Sequence, residues 1–243
     1  HISPALAKAS VDESAAGVVK TPAVGDEVLV KRYYPPQKEM RYLLRGADPE
    51  NFQWGDNLVE MSDELLKYVL QAPPPDVEPI KRAEYFLQFF EAENGEIASD
   101  AYGEFASIPY EAVVDLRERL PREKLRRWLF DDQVPGTRIG LYGMMLGLCG
   151  EKEDAALLEK KILEREREFR LGIDGVIGGY LLLTGDAGMD LLSAKVLEPD
   201  STPKGEVMSA MQAMRFMWTY GEDRVQKKKL SDAMRLLIDK PDH

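Results

Sequence analysis

The fold is decided by three segments with a common spacing: RIGLYGMMLGLCG at 138–150, IDGVIGGYLLLTG at 173–185 and MSAMQAMRFMWTYG at 208–221. Small residues recur 35 positions apart, with Gly140, Gly175 and Ala210 as one set and Gly143, Gly178 and Ala213 as another. Large apolar residues keep the same step at Leu146, Leu181 and Phe216. A period of this size, with small and large apolar positions in phase, is typical of stacked helical hairpins.

These segments are predicted to be the first helices of hairpins, because each ends with a glycine that can terminate a helix: Gly150, Gly185 and Gly221. Second helices are expected at 154–165, 187–198 and 225–239. Their apolar residues match 34 positions apart, with Leu157, Leu158, Ile162 and Leu163 corresponding to Leu191, Leu192, Val196 and Leu197. Since glycine inside a helix costs about 1 kcal/mol relative to alanine, the repeated glycines predict a close approach of neighbouring helices at Gly143 and Gly178.

The chain is predicted to have three parts, and its fold class is mainly α with a small N-terminal β hairpin. Residues 1–24 are small and polar, which predicts an irregular arm. Residues 25–56 form the predicted β-hairpin region, with alternating apolar residues at 28–33 and 40–45 on either side of a proline turn. Residues 57–243 are predicted to form an α-helical repeat domain.

Shorter helices are expected ahead of the phased repeats. The first begins after Ser62, a good N-cap, and carries an apolar stripe of Leu65, Leu66 and Val69. Three consecutive prolines at 73–75 end it. Apolar spacing and intervening prolines predict further helices, at 78–92, 97–106, 110–120 and 122–130.

Composition excludes several classes of function. A formal net charge of −11 argues against a nucleic-acid partner, which needs a basic face, and against docking on anionic lipid. No window reaches the roughly 18 apolar residues of a membrane-spanning helix, so no membrane insertion is expected. The single cysteine, Cys149, cannot form an internal disulfide. Because the chain begins with His1 rather than methionine, we expect a fragment or a processed form. The sequence indicates no oligomeric state.

No catalytic, cofactor-binding or metal-binding residue stands out in the sequence. Both histidines are terminal, at His1 and His243, which leaves no imidazole for general acid-base catalysis in the folded body. With one cysteine, a metal site of the Cys/His type is impossible, and no glycine-rich phosphate loop follows a strand. Cys149 ends an apolar helix and is expected to be a small buried hydrophobe rather than a nucleophile.

Structural roles also account for the charged and methionine-rich stretches. Solvated surfaces are expected for the acids Glu91, Glu93 and Glu96, for the charged run at 164–168 and for Lys227–Lys229, and a first helical turn is expected for Asp174. Methionine recurs every three residues at Met208, Met211, Met214 and Met217. These side chains are expected in the core, and the alternative is a methionine-rich binding surface.

The repeats resemble HEAT-like α-solenoids, which have two helices per unit and glycine-marked turns. The motifs DAYGEFA at 100–106, with Pro109 and Tyr110 after it, and LGLCG at 146–150 are similar to a group of bacterial exported proteins without an assigned activity. In that group a small OB- or netrin-like β domain precedes a HEAT-like region. The resemblance covers the chain from Val24 onward. It implies a HEAT-like helical-hairpin superhelix, a β hairpin that is the remnant of an OB-like domain, and bacterial export, although a cytoplasmic location is also compatible with the sequence.

The leading functional hypothesis is a non-enzymatic interaction or scaffold module that binds a protein or peptide on its helical surface, without a cofactor. The alternative is an enzyme or enzyme subunit that uses surface carboxylates on a helical scaffold. An acidic cleft with raised carboxylate pKa values would favour the enzyme, whereas a ridge with exposed aromatic residues would favour the interaction module. A third hypothesis places binding in the β hairpin, with the helices as its support.

Overall fold

A computed structural model of the chain describes residues 40–43, 59–164, 170–199 and 201–238. The chain divides into two units, His1–Ala72 and Pro73–His243. The described residues are mainly helical, as the sequence predicted. The predicted arm at 1–24 and most of the predicted hairpin region at 25–56 lie outside the described residues, so the division into an arm, a hairpin region and a helical domain stays a prediction.

In the first unit, a short antiparallel ladder joins β1 (Tyr42–Leu43) to β2 (Val59–Glu60). The Met61 N–H extends the ladder by donating to the Arg41 carbonyl oxygen at 2.8 Å. The predicted strand at 40–45 is thus present at Tyr42–Leu43, and its described partner is a segment that was not predicted as a strand. The other predicted strand, at 28–33, lies outside the described residues.

Helix α1 (Asp63–Gln71) starts where the sequence predicted, because the Ser62 hydroxyl accepts a hydrogen bond from the Leu65 N–H at 3.1 Å. The helix ends just before the three prolines. Its buried side chains are Leu65 and Tyr68, whereas Val69 is 38% exposed. The expected stripe through Val69 was wrong. Positions 68 and 69 lie about 100° apart around the helix axis, and the helix buries the side that carries Tyr68.

The second unit begins with four helices and a 3₁₀ turn: α2 (Pro79–Leu87), α3 (Gly95–Ala106), α4 (Tyr110–Asp115), the turn Arg117–Arg119 and α5 (Arg122–Leu129). Helix α2 is shorter than the predicted 78–92. The chain tightens after it, with the Phe89 N–H donating to the Phe86 carbonyl oxygen, and Glu91 then takes a φ of 53°. The predicted helix at 110–120 is likewise divided, since its last part forms the 3₁₀ turn.

Phe90 stands at the centre of an aromatic cluster that ties these helices together. Its ring centroid lies 5.1 Å from that of Phe105 on α3 and 6.3 Å from that of Trp128 on α5. Tyr142, on α6 (Gly136–Cys149), contributes a third ring at 5.8 Å. Tilted and edge-on ring contacts of this kind add to the free energy gained by burial. The turn that follows α2 is thereby held against three later helices.

The phased part contains three helical pairs, as predicted. The first helices are α6, α8 (Ile173–Thr184) and α10 (Lys204–Tyr220). The second helices are α7 (Lys152–Leu163), α9 (Asp186–Leu192), which continues as a π-helical turn at Ser193–Leu197, and α11 (Lys227–Ile238). Two of the matched positions in the second helices of the first two pairs are buried alike, since Leu158 corresponds to Leu192 and Ile162 to Val196. A third match differs, because Leu163 is 39% exposed whereas Leu197 is buried. The period in the sequence is therefore reflected in the order and the burial of the helices.

Helices α6 and α8 meet along their backbones at glycines with the same spacing: Gly140, Gly143 and Gly147 on the α6 side, and Gly172, Gly175 and Gly179 on the α8 side. A Cβ atom placed on Gly143 would lie 2.7 Å from the Cα of Val176, and one on Gly179 would collide with the Gly143 carbonyl oxygen. Residue numbers rise together along the contact, so the two helices run parallel. No side chain fits between them there.

Gly143 and Gly178 are equivalent residues of the repeat, and each faces the first helix that follows. Gly143 meets the backbone of α8, as predicted. Gly178 faces α10, where an added Cβ atom would make an ordinary contact, 3.4 Å from Cδ1 of Phe216. The expectation of a close backbone contact at Gly178 was therefore wrong. The residues of α8 that face the α6 backbone are Gly175 and Gly179.

Helix α10 also contacts α4, far back in the chain. The ring centroids of Phe216 and Tyr220 lie 5.2 and 5.0 Å from that of Tyr110. In an array whose units contact only their neighbours, this contact is not expected. The last phased helix pair is therefore packed against the start of the second unit as well as against α8.

Gly178 and Gly179 offer a matched pair for testing the backbone contact. Both are buried in α8, and alanine at either site gains about 1 kcal/mol of helix propensity. We expect Gly179→Ala to lower the free energy of unfolding by about 1–3 kcal/mol through overpacking, whereas Gly178→Ala leaves it unchanged or raises it. Denaturant unfolding measures both changes. Equal effects of the two substitutions would show that the fold does not depend on this contact.

Candidate interaction surface

Among the described residues of the second unit, the most deeply buried carboxylate is that of Asp154, in the first turn of α7. Its side chain is 0% exposed and accepts hydrogen bonds from Arg122 Nε at 2.7 Å, from Arg126 Nε and from the Glu151 N–H at 2.7 Å. Burial opposes ionisation of Asp154, but these donors outweigh it and hold the pKa of the carboxyl below its ordinary value. Asp154 therefore remains an anion that fastens α5 to the start of α7.

A surface depression of about 510 Å³ lies beside this cluster, lined by Arg122, Arg126, Glu151, Glu153 and Leu157. Its guanidinium groups are already paired, since Arg122 Nη1 lies 2.8 Å from Glu151 and Arg126 Nη1 lies 3.0 Å from Glu123. An anionic ligand would have to displace these carboxylates. The depression thus offers no unpaired guanidinium group, and Arg122 lowers the pKa of Glu151, so its residues serve the ion pairing of α5 with α7.

Cys149 does not have the properties of a nucleophile. It is half-buried at the end of α6, slightly less covered than the sequence predicted. Burial, with a smaller contribution from the negative charge of Asp154, raises the pKa of its thiol to about 11. The thiolate is the reactive form of cysteine, so Cys149 stays protonated and unreactive at neutral pH.

A second polar cluster occupies the turn after α2, where the sequence predicted solvated acids. Glu91 is partly buried and accepts hydrogen bonds from Arg138 Nη1 at 2.8 Å and from the Tyr142 hydroxyl. Arg138 also donates to Ser99 Oγ at 3.1 Å. The prediction was therefore wrong for Glu91, although Glu93 is exposed as expected. These bonds hold the positive φ of Glu91, which is costly for a residue other than glycine.

Of the other charged candidates, Lys227 and Lys229 contact neighbouring side chains, Asp174 lies in a first helical turn, and the rest lie mostly outside the described residues. Lys229 binds Asp190, with Nζ–Oδ1 at 2.6 Å, and Lys227 Nζ lies 5.5 Å from the Trp218 ring centroid. Asp174 is half-buried in the first turn of α8, as predicted. The charged run at 164–168 is described only at Glu164, and His1 and His243 are not described.

The four methionines of α10 divide between the core and the surface. Met214 and Met217 are buried, whereas Met208 is 55% and Met211 is 37% exposed. Steps of three residues fall about 60° short of a full turn of an α-helix. The three steps from Met208 to Met217 together sweep around half the helix, so one face cannot bury all four side chains. The expectation of core positions was right for Met214 and Met217 and wrong for the other two.

Five exposed residues of α10 form a stripe along the helix, which we name the α10 ridge: Lys204, Met208, Met211, Arg215 and Trp218. Trp218 is 45% exposed. The residues alternate in steps of four and three, which keeps them on one side of an α-helix. From Met208 to Trp218 the ridge extends about 15 Å along the helix axis. Large apolar side chains in a row at the surface mark an interaction site more often than single ones do.

The charge of the α10 ridge is opposite in sign to that of the whole chain. Its charged members, Lys204 and Arg215, are both cations, and Lys227 of α11 stacks on the Trp218 ring. The one acid of α10, Glu206, is buried and paired with Arg170 at 2.8 Å. A chain with a net charge of −11 thus presents an apolar, cationic stripe. The sequence pointed to the methionines, but it did not single out Arg215 or the exposure of Trp218.

Among the described residues, no three His, Cys, Asp or Glu side chains come together as a group that could hold a metal ion. No helix in the described part of the chain is long and apolar enough to cross a membrane.

Asp154 gives the polar cluster a testable energetic role. Asp154→Asn keeps the size of the side chain but removes the charge that two arginines share. Loss of one partner from a buried ion pair costs about 3–5 kcal/mol, and we expect a decrease near the lower figure because Arg122 and Arg126 keep other carboxylates. Glu153→Gln is the matched control, since that acid is exposed and should change stability by less than about 1 kcal/mol.

The lowered pKa of Asp154 predicts how the effect of Asp154→Asn on stability depends on pH. Because the folded-state pKa of Asp154 is lowered from an unfolded value of about 3.9, its stabilisation is fully present above that pH and is lost as the pH falls through the folded-state pKa. The difference in unfolding free energy between the wild type and Asp154→Asn should therefore be constant near neutral pH and shrink below about pH 4. A difference that persists undiminished at lower pH would contradict this role.

Comparisons of the chain with protein-family models, with curated proteins and with solved structures find no match. The resemblance to HEAT-like repeats and to bacterial exported proteins therefore depends on the sequence motifs alone.

Proposed function

We propose that this chain is a non-enzymatic interaction module, built as a HEAT-like array of helical hairpins, that binds a protein or peptide partner through the α10 ridge. The observation that carries the proposal is the exposure of Met208, Met211 and Trp218 on a helix whose opposite face is packed. Tryptophan is among the residues that dominate binding energy at interfaces. Methionine is flexible and adapts to the surface that it meets.

The packing of the second unit supports the HEAT-like part of the proposal. Three helical pairs follow one another with matched small and large residues. The helices that open the first two pairs, α6 and α8, run parallel at their glycine contact. Stacked hairpins of this kind leave one edge of each helix at the surface and so create extended binding faces. The contact of Tyr110 with Phe216 indicates an array that is more closed than a straight row.

The carboxyl groups favour an interaction module over an enzyme. A carboxyl group that transfers protons near neutral pH needs a raised pKa. Among the described carboxyl groups, every clear shift lowers the pKa: Lys81 lowers that of Glu78, Arg122 that of Glu151, the N–H of Gln226 that of Asp186, and the donors described above that of Asp154. These acids are therefore suited to ion pairing and capping. The hypothesis of binding by the β hairpin falls mostly on residues outside the described ranges.

Capture from the native host with matched surface variants tests the proposal. We expect the wild-type chain to retain a partner in stoichiometric amount, and the double variant Met208→Gln/Trp218→Gln to retain at least tenfold less. Loss of a tryptophan anchor alone costs about 2 kcal/mol or more at an interface. Quantitative mass spectrometry of the retained proteins measures the difference.

The control removes two exposed leucines elsewhere on the second unit, Leu163→Gln/Leu171→Gln, and should retain the partner as the wild type does. Both double variants should unfold within about 1 kcal/mol of the wild type, because surface substitutions change stability little. Equal retention by all three chains would remove the α10 ridge from the proposal. No retained partner, together with turnover in a broad hydrolase screen, would favour the enzyme.

A further inference from the structure

We infer that the partner element is an acidic amphipathic α-helix that lies lengthwise on the α10 ridge and places a carboxylate against Arg215. This inference rests on the proposed function and specifies the chemistry of its partner. It follows from three properties of the α10 ridge, namely its spacing, the position of its central cation and the sign of its charge.

The spacing of the α10 ridge is that of a helix–helix seam. Lys204, Met208, Met211, Arg215 and Trp218 follow steps of four, three, four and three residues. These are the steps between the a and d positions of a coiled coil, whose side chains fit between those of one facing helix. An extended peptide repeats every two residues along one face and does not match this spacing. A partner segment that is helical where it binds can therefore fit its side chains between those of the α10 ridge.

The central cation of the α10 ridge determines what the partner must carry. Arg215 lies between Met211 and Trp218 on the stripe, so a helix docked on these apolar neighbours would also cover its guanidinium group. Among the described residues, no carboxylate of this chain pairs with Arg215. Removing a charge from water without a partner is costly. A glutamate or aspartate on the docking helix would pair with the guanidinium through two parallel hydrogen bonds and fix the register.

A second copy of this chain does not meet that requirement. In a parallel pair of ridges, Arg215 would face Arg215 of the other copy. An antiparallel pair would instead place each Arg215 near Met211 of the other copy, without a carboxylate. Both arrangements also bring together two chains that each carry a net charge of −11. The charge therefore favours a partner helix that carries an acid opposite Arg215 and apolar side chains on either side of that acid along the seam.

Three synthetic helical peptides of about 18 residues test the inference on the full chain. They differ only at the seam position that faces Arg215, which is Glu, Gln or Lys, and all carry leucine at the other a and d positions and neutral residues elsewhere. Fluorescence anisotropy at physiological ionic strength gives the dissociation constants. We expect the Glu peptide to bind in the micromolar range, the Gln peptide about tenfold more weakly and the Lys peptide more weakly still.

The overall charge of the chain makes this a demanding comparison. A net charge of −11 attracts the Lys peptide and repels the Glu peptide at long range. A preference for the Glu peptide therefore has to come from the local cations of the α10 ridge. Wild-type binding of the Lys peptide that equals or exceeds binding of the Glu peptide would overturn the inference.

A charge reversal at Arg215 tests whether the preference for the Glu peptide comes from this residue. Arg215→Glu should weaken the Glu peptide about tenfold and strengthen the Lys peptide by a similar factor. Arg127→Glu makes the same change at another exposed arginine, on α5, and should alter neither dissociation constant by more than about twofold. Equal effects of the two reversals would contradict the assignment to Arg215. Thermal unfolding of both variants shows that they are folded.

Light scattering tests whether a second copy of this chain occupies the α10 ridge. We expect the full chain to be a monomer at micromolar concentration. A dimer that dissociates on Trp218→Gln substitution would assign the α10 ridge to a second copy. Failure of all three peptides to bind would also overturn the inference. Neither result would affect the capture experiment, which tests whether the α10 ridge binds a partner of any sign.

Discussion

The contact between the α6 and α8 backbones sets the positions of the other phased helices. Glycine weakens a helix by about 1 kcal/mol, and a contact without side chains removes little apolar area from water. What it gains is close van der Waals and Cα–H···O contact over two helical turns. Helix α8 then presents Gly178 to Phe216, and this fixes which face of α10 is buried. The α10 ridge is the face that remains at the surface.

Ion pairs between an arginine and a carboxylate fix the junctions between helices. Arg126 and Asp154 join α5 to α7, and Arg138 and Glu91 join α6 to the turn after α2. Arg170 binds Glu206 and also donates to the carbonyl oxygens at the end of α7. In each case the hydrogen bonds between the partners compensate for the loss of hydration. Such groups orient the helices.

The sequence predicted the features that depend on local pattern. The N-cap at Ser62 and the phased pairs were found where expected, because capping and apolar period are set within a few residues. Features that depend on which side of a helix is covered by other helices were harder to predict from the sequence. Gly178 and Gly179 differ by one position in sequence but face different helices. The partner of β1 was missed because β2 follows it only after an intervening segment, whereas local pattern suggests the nearest strand.

The repeat pattern accounts for the two methionines of the α10 ridge but not for Arg215. The positions equivalent to Met208, Met211 and Arg215 in α8 are Ile173, Val176 and Tyr180, which are all buried. Helix α10 meets Gly178 with Phe216 rather than with Met211, so it is rotated relative to α8 and exposes a face that is buried there. The two methionines alone could be inherited from the repeat pattern. Arg215 could not, because an arginine replaces the buried tyrosine of α8 in the middle of the stripe. A cation at this point, between exposed apolar side chains and without an ion pair to any described carboxylate, fits the proposal of an acidic partner.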